Sequence, residues 1–325
     1  MDEILRVEKL KKYYATPRGL LHAVDNVSFS VQRGKTMGFV GESGCGKSTL
    51  GSTIIGLEVP TGGTILYDGR DITFPTKNEL KELRKELQMI FQDPFSSIDP
   101  RMSISDIIAE PLIIHKIYKS RTERIKRVEE LMDIVGIARR YAYSYPHELD
   151  GGRRQRVGIA RALAVNPKFI VCDEPVSALD VSIQAQVLNL LQDLQRDHNL
   201  TYLFITHDLS VVRHISDDIC VMYLGQIVEK CSAEELYLHT LHPYTKALLS
   251  AIPIPDIRVK KKKITMKGEL SSPIEPKDQC RFAVRCPYAS EECFSHCPEL
   301  VNVGEGHMVA CHKVHSINDN LPEIR

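Results

Sequence analysis

Thr36-Met37-Gly38-Phe39-Val40-Gly41-Glu42-Ser43-Gly44-Cys45-Gly46-Lys47-Ser48 is the stretch that decides the fold. Strand material runs straight into the pattern G-x-x-x-x-G-K-[ST], and Ser48 to Ile55 then reads as a helix ended by Gly56. The glycines of the loop, Gly41, Gly44 and Gly46, let its backbone wrap close enough for N–H groups to donate to phosphate oxygens. The start of the following helix adds positive potential. Lys47 is then placed to pair with the β- and γ-phosphates of a nucleotide, and Ser48 to offer its hydroxyl to Mg²⁺.

Further along, the apolar strand Phe169-Ile170-Val171-Cys172 closes on Asp173 and Glu174. A carboxylate at such a strand end can hold the Mg²⁺ shell, and the next one can polarise an attacking water. Strand material is also expected over Val24–Val31, Ile65–Tyr67 and Tyr202–Ile205, with a turn at Thr61-Gly62-Gly63-Thr64. Residues 95 to about 160 read as helical: Ser120 and Glu123 form a capping-box pattern, and Ile125, Val128, Leu131, Met132 and Val135 recur at helical spacing. Strands alternating with helices predict an α/β fold with a mostly parallel sheet covered on both faces.

The bulk numbers narrow the classes. The 325 residues have room for about two domains. Lys+Arg and Asp+Glu both count 42, giving a formal net charge of zero, whereas a nucleic-acid binder usually carries a basic face. There is no run of about 18 apolar residues to span a bilayer. The N-terminus lacks a basic segment followed by an apolar one, so the chain reads as cytoplasmic. After about residue 235 the texture changes. His242-Pro243-Tyr244-Thr245 opens a short helical segment, Ile252-Pro253-Ile254-Pro255 reads as a linker, and the run Lys260–Lys263 reads as a solvated connector or a phosphate or lipid contact.

Leu149-Asp150-Gly151-Gly152-Arg153-Arg154-Gln155 leads into a helix just upstream of the Asp173-Glu174 strand, and it resembles the signature segment of ATP-binding-cassette (ABC) ATPases. The resemblance covers residues 1 to about 235 and implies a RecA-like P-loop ATPase core with an antiparallel β arm and a helical subdomain around 95–160. It implies that Gln92 senses the γ-phosphate, joins the Mg²⁺ shell and contacts a membrane subunit. Ser177-Ala178-Leu179-Asp180 is similar to the loop that crosses the dimer interface, and His207 to the switch histidine. Tyr14, with Tyr13 the alternative, stands where the family stacks an aromatic on adenine. Ser43, Cys45 and Thr49 join the loop's ATP contacts, and Asp150, Gly151 and Gly152 cap the ATP of a partner subunit. The segments Phe91–Arg101, Asp180–Gln186 and His242–Thr245 are similar to the oligopeptide/dipeptide/nickel importer ATPases, in particular the second of their two ATPase types. That implies an unlike second ATPase subunit, two membrane-spanning permease subunits and, indirectly, an extracytoplasmic binding protein, with this chain peripheral on the cytoplasmic face of the membrane.

In the family the signature position held here by Asp150 is usually Ser, and that held by Arg153 is usually Gln. An ionised Asp cannot donate to a phosphate, and two unit charges about 4 Å apart repel by roughly 4 kcal/mol at an effective dielectric near 20. Two readings stay open. Asp150 is a plain helix cap, since Asp caps as well as Ser, or the composite site is weakened, with Arg153 neutralising Asp150 or reaching a phosphate oxygen. The second reading predicts unequal sites, the competent one on this chain's own Lys47, Asp173, Glu174 and His207.

Five of the nine cysteines crowd into the last fifth: Cys280, Cys286, Cys293, Cys297 and Cys311. Such a cluster in a reduced compartment points to a metal site, and thiolates suit zinc or iron–sulfur clusters. Zinc sites usually show short knuckles, and only Cys293/Cys297 comes near one; the other gaps are wider. The resemblance implies a [4Fe–4S] cluster on Cys280, Cys286, Cys293 and Cys311, with Zn²⁺ or no metal as alternatives. The expected organisation is a nucleotide-binding domain over 1–235 and an extension over 236–325 bearing a small cysteine-rich module. The expected function is ATP hydrolysis driving uptake of peptides or a related solute. The rivals are a soluble ABC ATPase acting on nucleic acid with a zinc module, and a regulatory iron–sulfur protein with vestigial ATPase activity.

Overall fold

The computed structural model describes residues 2–93, 97–252, 264–268 and 271–318. Pro94-Phe95-Ser96, Pro253-Ile254-Pro255 and Lys260–Lys263 lie outside the described residues. The chain opens with β1 (Glu3–Thr16), β2 (Gly19–Gln32), β3 (Thr36–Val40), α1 (Lys47–Ile54), β4 (Gly62–Tyr67) and β5 (Arg70–Asp71). Next come α2 (Lys77–Glu86), β6 (Leu87–Ile90), α3 (Ile104–Ile114), α4 (Arg121–Ile134) and α5 (Gly151–Leu163). β7 (Phe169–Asp173), α6 (Val181–His198), β8 (Thr201–Thr206), α7 (Leu209–Ile215), β9 (Asp218–Tyr223) and β10 (Gln226–Ser232) follow. Then α8 (Ala233–Leu238), α9 (Pro243–Ser250) and the short strands β11 (Val301–Asn302) and β12 (Met308–Val309) complete the order.

Two compact units divide the chain. The first comprises Met1–Asp2, Gln32–Lys35 and Pro75–Ile205. In it β6, β7 and β8 run parallel, with Leu87 opposite Phe169 and Phe169 opposite Thr201. All of β7 and β8 is buried, which suits strands read as continuous apolar runs and covered on both faces. The long helical expectation resolves into three helices. Gly136, at φ 70, stops α4, and Pro146 opens a separate 3₁₀ turn before α5. The Ser120–Glu123 capping box forms at α4, and a second, Thr76–Glu79, opens α2, a helix not anticipated. Val128, Leu131, Met132 and Val135 are buried as their spacing predicts, whereas Ile125 is 48% exposed.

The second unit comprises Glu3–Val31, Thr36–Phe74 and Thr206–Arg325. β2, β1, β4 and β5 form an antiparallel sheet in that order. β3 pairs in parallel with β9, so Met37 lies opposite Asp218 and Val40 opposite Val221. The sheet continues antiparallel through β10, β12 and β11, strands that the mostly parallel expectation did not include. The C-terminal residues pack into this unit. Ala310 donates its N–H to the Val228 carbonyl (2.9 Å), and Ile274 bridges Leu21 on the arm. Phe282, 1% exposed, meets Tyr223 edge-on at 5.3 Å and Tyr244 at 5.4 Å. A fully buried carboxylate, Glu229, is satisfied by the Leu241 and His242 N–H groups and lies 2.8 Å from His307 Nε2.

Candidate nucleotide-binding site

The predicted site residues divide between the two units. In the second, the loop Gly41–Ser48 joins β3 to α1. Two of its glycines are dictated by close backbone: a Cβ on Gly41 would lie 2.1 Å from the Met222 carbonyl oxygen. One on Gly46, at φ 105, would lie 1.9 Å from that of Ala23. Gly44, at φ 77, has open space around it. Lys47 is 4% exposed and donates Nζ to the Gly41 and Glu42 carbonyls at 2.7 and 3.0 Å. Its ammonium thus rests on the loop's own backbone, where phosphate oxygens can compete for it. Ser43 and Ser48 are exposed, Thr49 is half-buried, and burial pushes the Cys45 thiol up, so it stays neutral beside Lys47. His207 is exposed on the turn after β8, where Asp208 caps α7 through the Ser210 N–H (2.8 Å).

The aromatic pair on β1 separates by alternation. Tyr13 stacks on His22 at 3.9 Å and gives its hydroxyl hydrogen to Asp25 (2.5 Å), while Tyr14 has Lys12 Nζ 4.8 Å from its ring centre. Burial alone would raise the Asp25 carboxyl; hydrogen bonds from Tyr13 and His22 and the Arg281 charge hold it below the usual carboxylate range.

In the first unit Asp173, 7% exposed, ends β7. Glu174 follows at φ 46, a left-handed conformation uncommon for a side chain of this kind, fixed by its N–H to the Ile205 carbonyl (2.9 Å). Gln92, just past β6, donates Nε2 to Glu174 Oε2 at 3.0 Å, a pairing that sequence spacing did not foretell. Asp150 caps α5: one oxygen accepts from the Arg153 N–H (2.8 Å), the other pairs with the Arg153 guanidinium (2.7 Å). The cap and the neutralisation therefore coexist. Gly152 abuts α6, since a Cβ there would lie 2.5 Å from Ile183. Asp180 caps α6 through the Ile183 N–H (3.0 Å).

Cys280, Cys286, Cys293 and Cys311 line one small cavity of about 10 Å³ in the second unit, with His242 and Phe282 beside them. Burial and one another's proximity push Cys280 up to about 12 and Cys311 up to about 11. Cys297 instead points at Gln226 Oε1 (3.5 Å) and lines a separate cavity. Among the described residues no group of three or more His, Cys, Asp or Glu is gathered closely enough to hold a metal ion. Donor chemistry suits a soft metal but the arrangement does not close on one, because structural zinc needs four donors within about 2.3 Å of a common point. The expectation of an iron–sulfur cluster, or of zinc, gains no support here.

A glycine loop with a buried lysine and an acidic strand end with a tethered glutamine define the P-loop nucleotide-hydrolase class. Residues 24–177 match the family model described as ABC transporter, and residues 228–293 that of the oligopeptide/dipeptide transporter C-terminal region. The chain is 52% identical over 321 residues to the oligopeptide transport ATP-binding protein AppF of Bacillus subtilis, covering 96% of this chain and 97% of that one. It is 54% identical over 271 residues to OppF of the same organism, another oligopeptide transport ATP-binding protein, covering 83% and 89%. Among solved structures it is similar to the ATP-binding cassette MJ0796, a dimer in a post-hydrolysis state with ADP and Pi. That likeness has a TM-score of 0.65 at 30% identity, over 71% of this chain and 99% of that one. The chain belongs to the ABC transporter family, among its oligopeptide/dipeptide ATP-binding subunits.

Proposed function

We propose that this chain is the ATP-hydrolysing subunit that powers oligopeptide uptake through a membrane importer. The observation that carries the reading is the likeness to AppF along nearly the whole of both chains. No helix among the described residues is long and apolar enough to cross a membrane. Separate permease subunits carry the pathway, a reading supported by the likeness to oligopeptide transport ATP-binding proteins. The chain sits peripherally on their cytoplasmic face. The nucleotide-binding domain spans 1–235 and the extension 236–325.

ATP and Mg²⁺ are the substrate and cofactor. Lys47 and the Gly41–Thr49 backbone hold the phosphates, Ser48, Gln92 and Asp173 complete the Mg²⁺ shell, and Tyr14 stacks on adenine. Glu174 takes the proton of the attacking water, and His207 contacts the γ-phosphate. Asp150, Gly151 and Gly152 cap the nucleotide on a second, unlike ATPase subunit. The tight Arg153–Asp150 pairing supports unequal sites, because the oxygen that Ser would use to donate is here an acceptor already engaged. In vesicles holding the assembled complex, Lys47→Ala is expected to abolish ATP-driven peptide uptake; undiminished uptake contradicts the reading.

For the cysteines, we propose a [4Fe–4S] cluster on Cys280, Cys286, Cys293 and Cys311, or Zn²⁺ in its place, on thiol donor chemistry alone, the four side chains lining one cavity. Either would require the four thiols to draw together. Anaerobic purification is expected to give brown protein whose colour Cys286→Ser removes. A colourless, metal-free chain that folds and hydrolyses ATP overturns it.

A further inference from the structure

Glu42 is the second residue of the phosphate loop, and nothing in the loop pattern asks for a carboxylate there. A negative charge so close to a triphosphate opposes binding unless it is neutralised. The chain neutralises it from 243 residues away. Arg285, 7% exposed, grips both Glu42 oxygens, at 2.5 and 3.1 Å. The same residue is fixed from a second side, since the Glu42 N–H donates to the Tyr244 hydroxyl (2.9 Å). The Glu42 carbonyl is one of the acceptors of Lys47 Nζ, so the Arg285 contact is one residue removed from the phosphate-binding ammonium. The guanidinium also lies over the Tyr223 ring at 5.9 Å. A second arm repeats the design. Arg281, half-buried with its side chain 7% exposed, pairs with Asp25, which in turn holds Tyr13 and His22. A buried guanidinium is costly unless its charge is matched, so these two pairs are not incidental surface contacts.

We propose that Arg285 is a positioning residue for ATP: it cancels and pins Glu42, and so makes the phosphate loop's affinity depend on the C-terminal cysteine segment. The inference rests on the ATPase reading and deepens it, giving the extension a hold on the phosphate loop through Glu42. Because the bond is bidentate, lysine can replace the charge but not the geometry.

The test is a steady-state ATPase series on the assembled complex, with melting temperatures alongside. R285A is expected to raise KM for ATP about tenfold with kcat changed less than about threefold, the pattern of lost uniform binding. R285K should raise KM by about threefold, since one donor remains. Adding E42Q to R285A should return KM to within about twofold of wild type, because the unpaired carboxylate is gone. Unchanged KM in R285A, or a KM rise that E42Q does not relieve, overturns the proposal. If R285A fails to fold, R285K decides. A KM rise that vanishes in the E42Q background supports the coupling, and equal effects in both backgrounds refute it. Wild-type complex without turnover would instead refute the ATPase reading itself.

Discussion

Glu174→Gln in the assembled complex lowers ATP turnover by about 10²–10⁴-fold, the range for removing a general base, while ATP binding is retained. The substitution keeps shape and hydrogen-bonding reach. Gln92 can still donate to the side-chain oxygen that it meets at 3.0 Å in the native chain. The backbone at φ 46 and its bond to Ile205 are untouched. What disappears is the charge that would accept the water's proton. The outcome to measure is kcat together with nucleotide affinity: a fallen kcat with unaltered affinity fits the role. Turnover near wild type would contradict both the role of Glu174 and the assignment of the competent site to this chain.

Asp150→Ser is expected to act in the opposite direction. Serine caps a helix as well as aspartate, so α5 should keep its stability within about 0.5 kcal/mol. The new hydroxyl can donate to a phosphate, and a carboxylate is removed from its path. The Asp150–Arg153 pair is exposed on both sides, at 58% and 46%, so its electrostatic cost to a nearby phosphate is well below the unscreened figure. A rise in turnover of about tenfold, or about 1.4 kcal/mol, is the expected gain at the composite site. The comparison is made in complexes where Glu174→Gln silences this chain's own site. An unchanged rate would leave Asp150 as a helix cap alone.

What the sequence made legible was local. The loop Gly41–Ser48 announces itself because Gly41 and Gly46 are demanded by nearby backbone and Gly44 by its positive φ, and the box at Ser120 because a cap spans one turn. Helical spacing found Val128, Leu131 and Met132 but overcounted Ile125, which lies in the first turns of α4 and faces solvent. β1 escaped notice because its 14 residues mix charged and apolar side chains without clean alternation. Asp150 offered two readings in the sequence; the fold shows the helix cap and the Arg153 pairing, and the weakened composite site stays a proposal. The longest-range features were the least legible. Arg281 and Arg285 stand next to cysteines that drew attention to metal chemistry, yet their partners Asp25 and Glu42 lie at the other end of the chain. Cysteine spacing named a donor set, but spacing alone fixes no distances, and the four thiols share a cavity without closing on a metal.

The central claim is that this chain converts ATP hydrolysis into oligopeptide import. Its most direct test is uptake of a labelled oligopeptide into vesicles carrying the permease subunits, the binding protein, the second ATPase and this chain. The account predicts uptake that needs ATP and Mg²⁺ and is lost when this chain is omitted or carries Lys47→Ala. Uptake that continues without this chain, or in its presence without ATP, would contradict it.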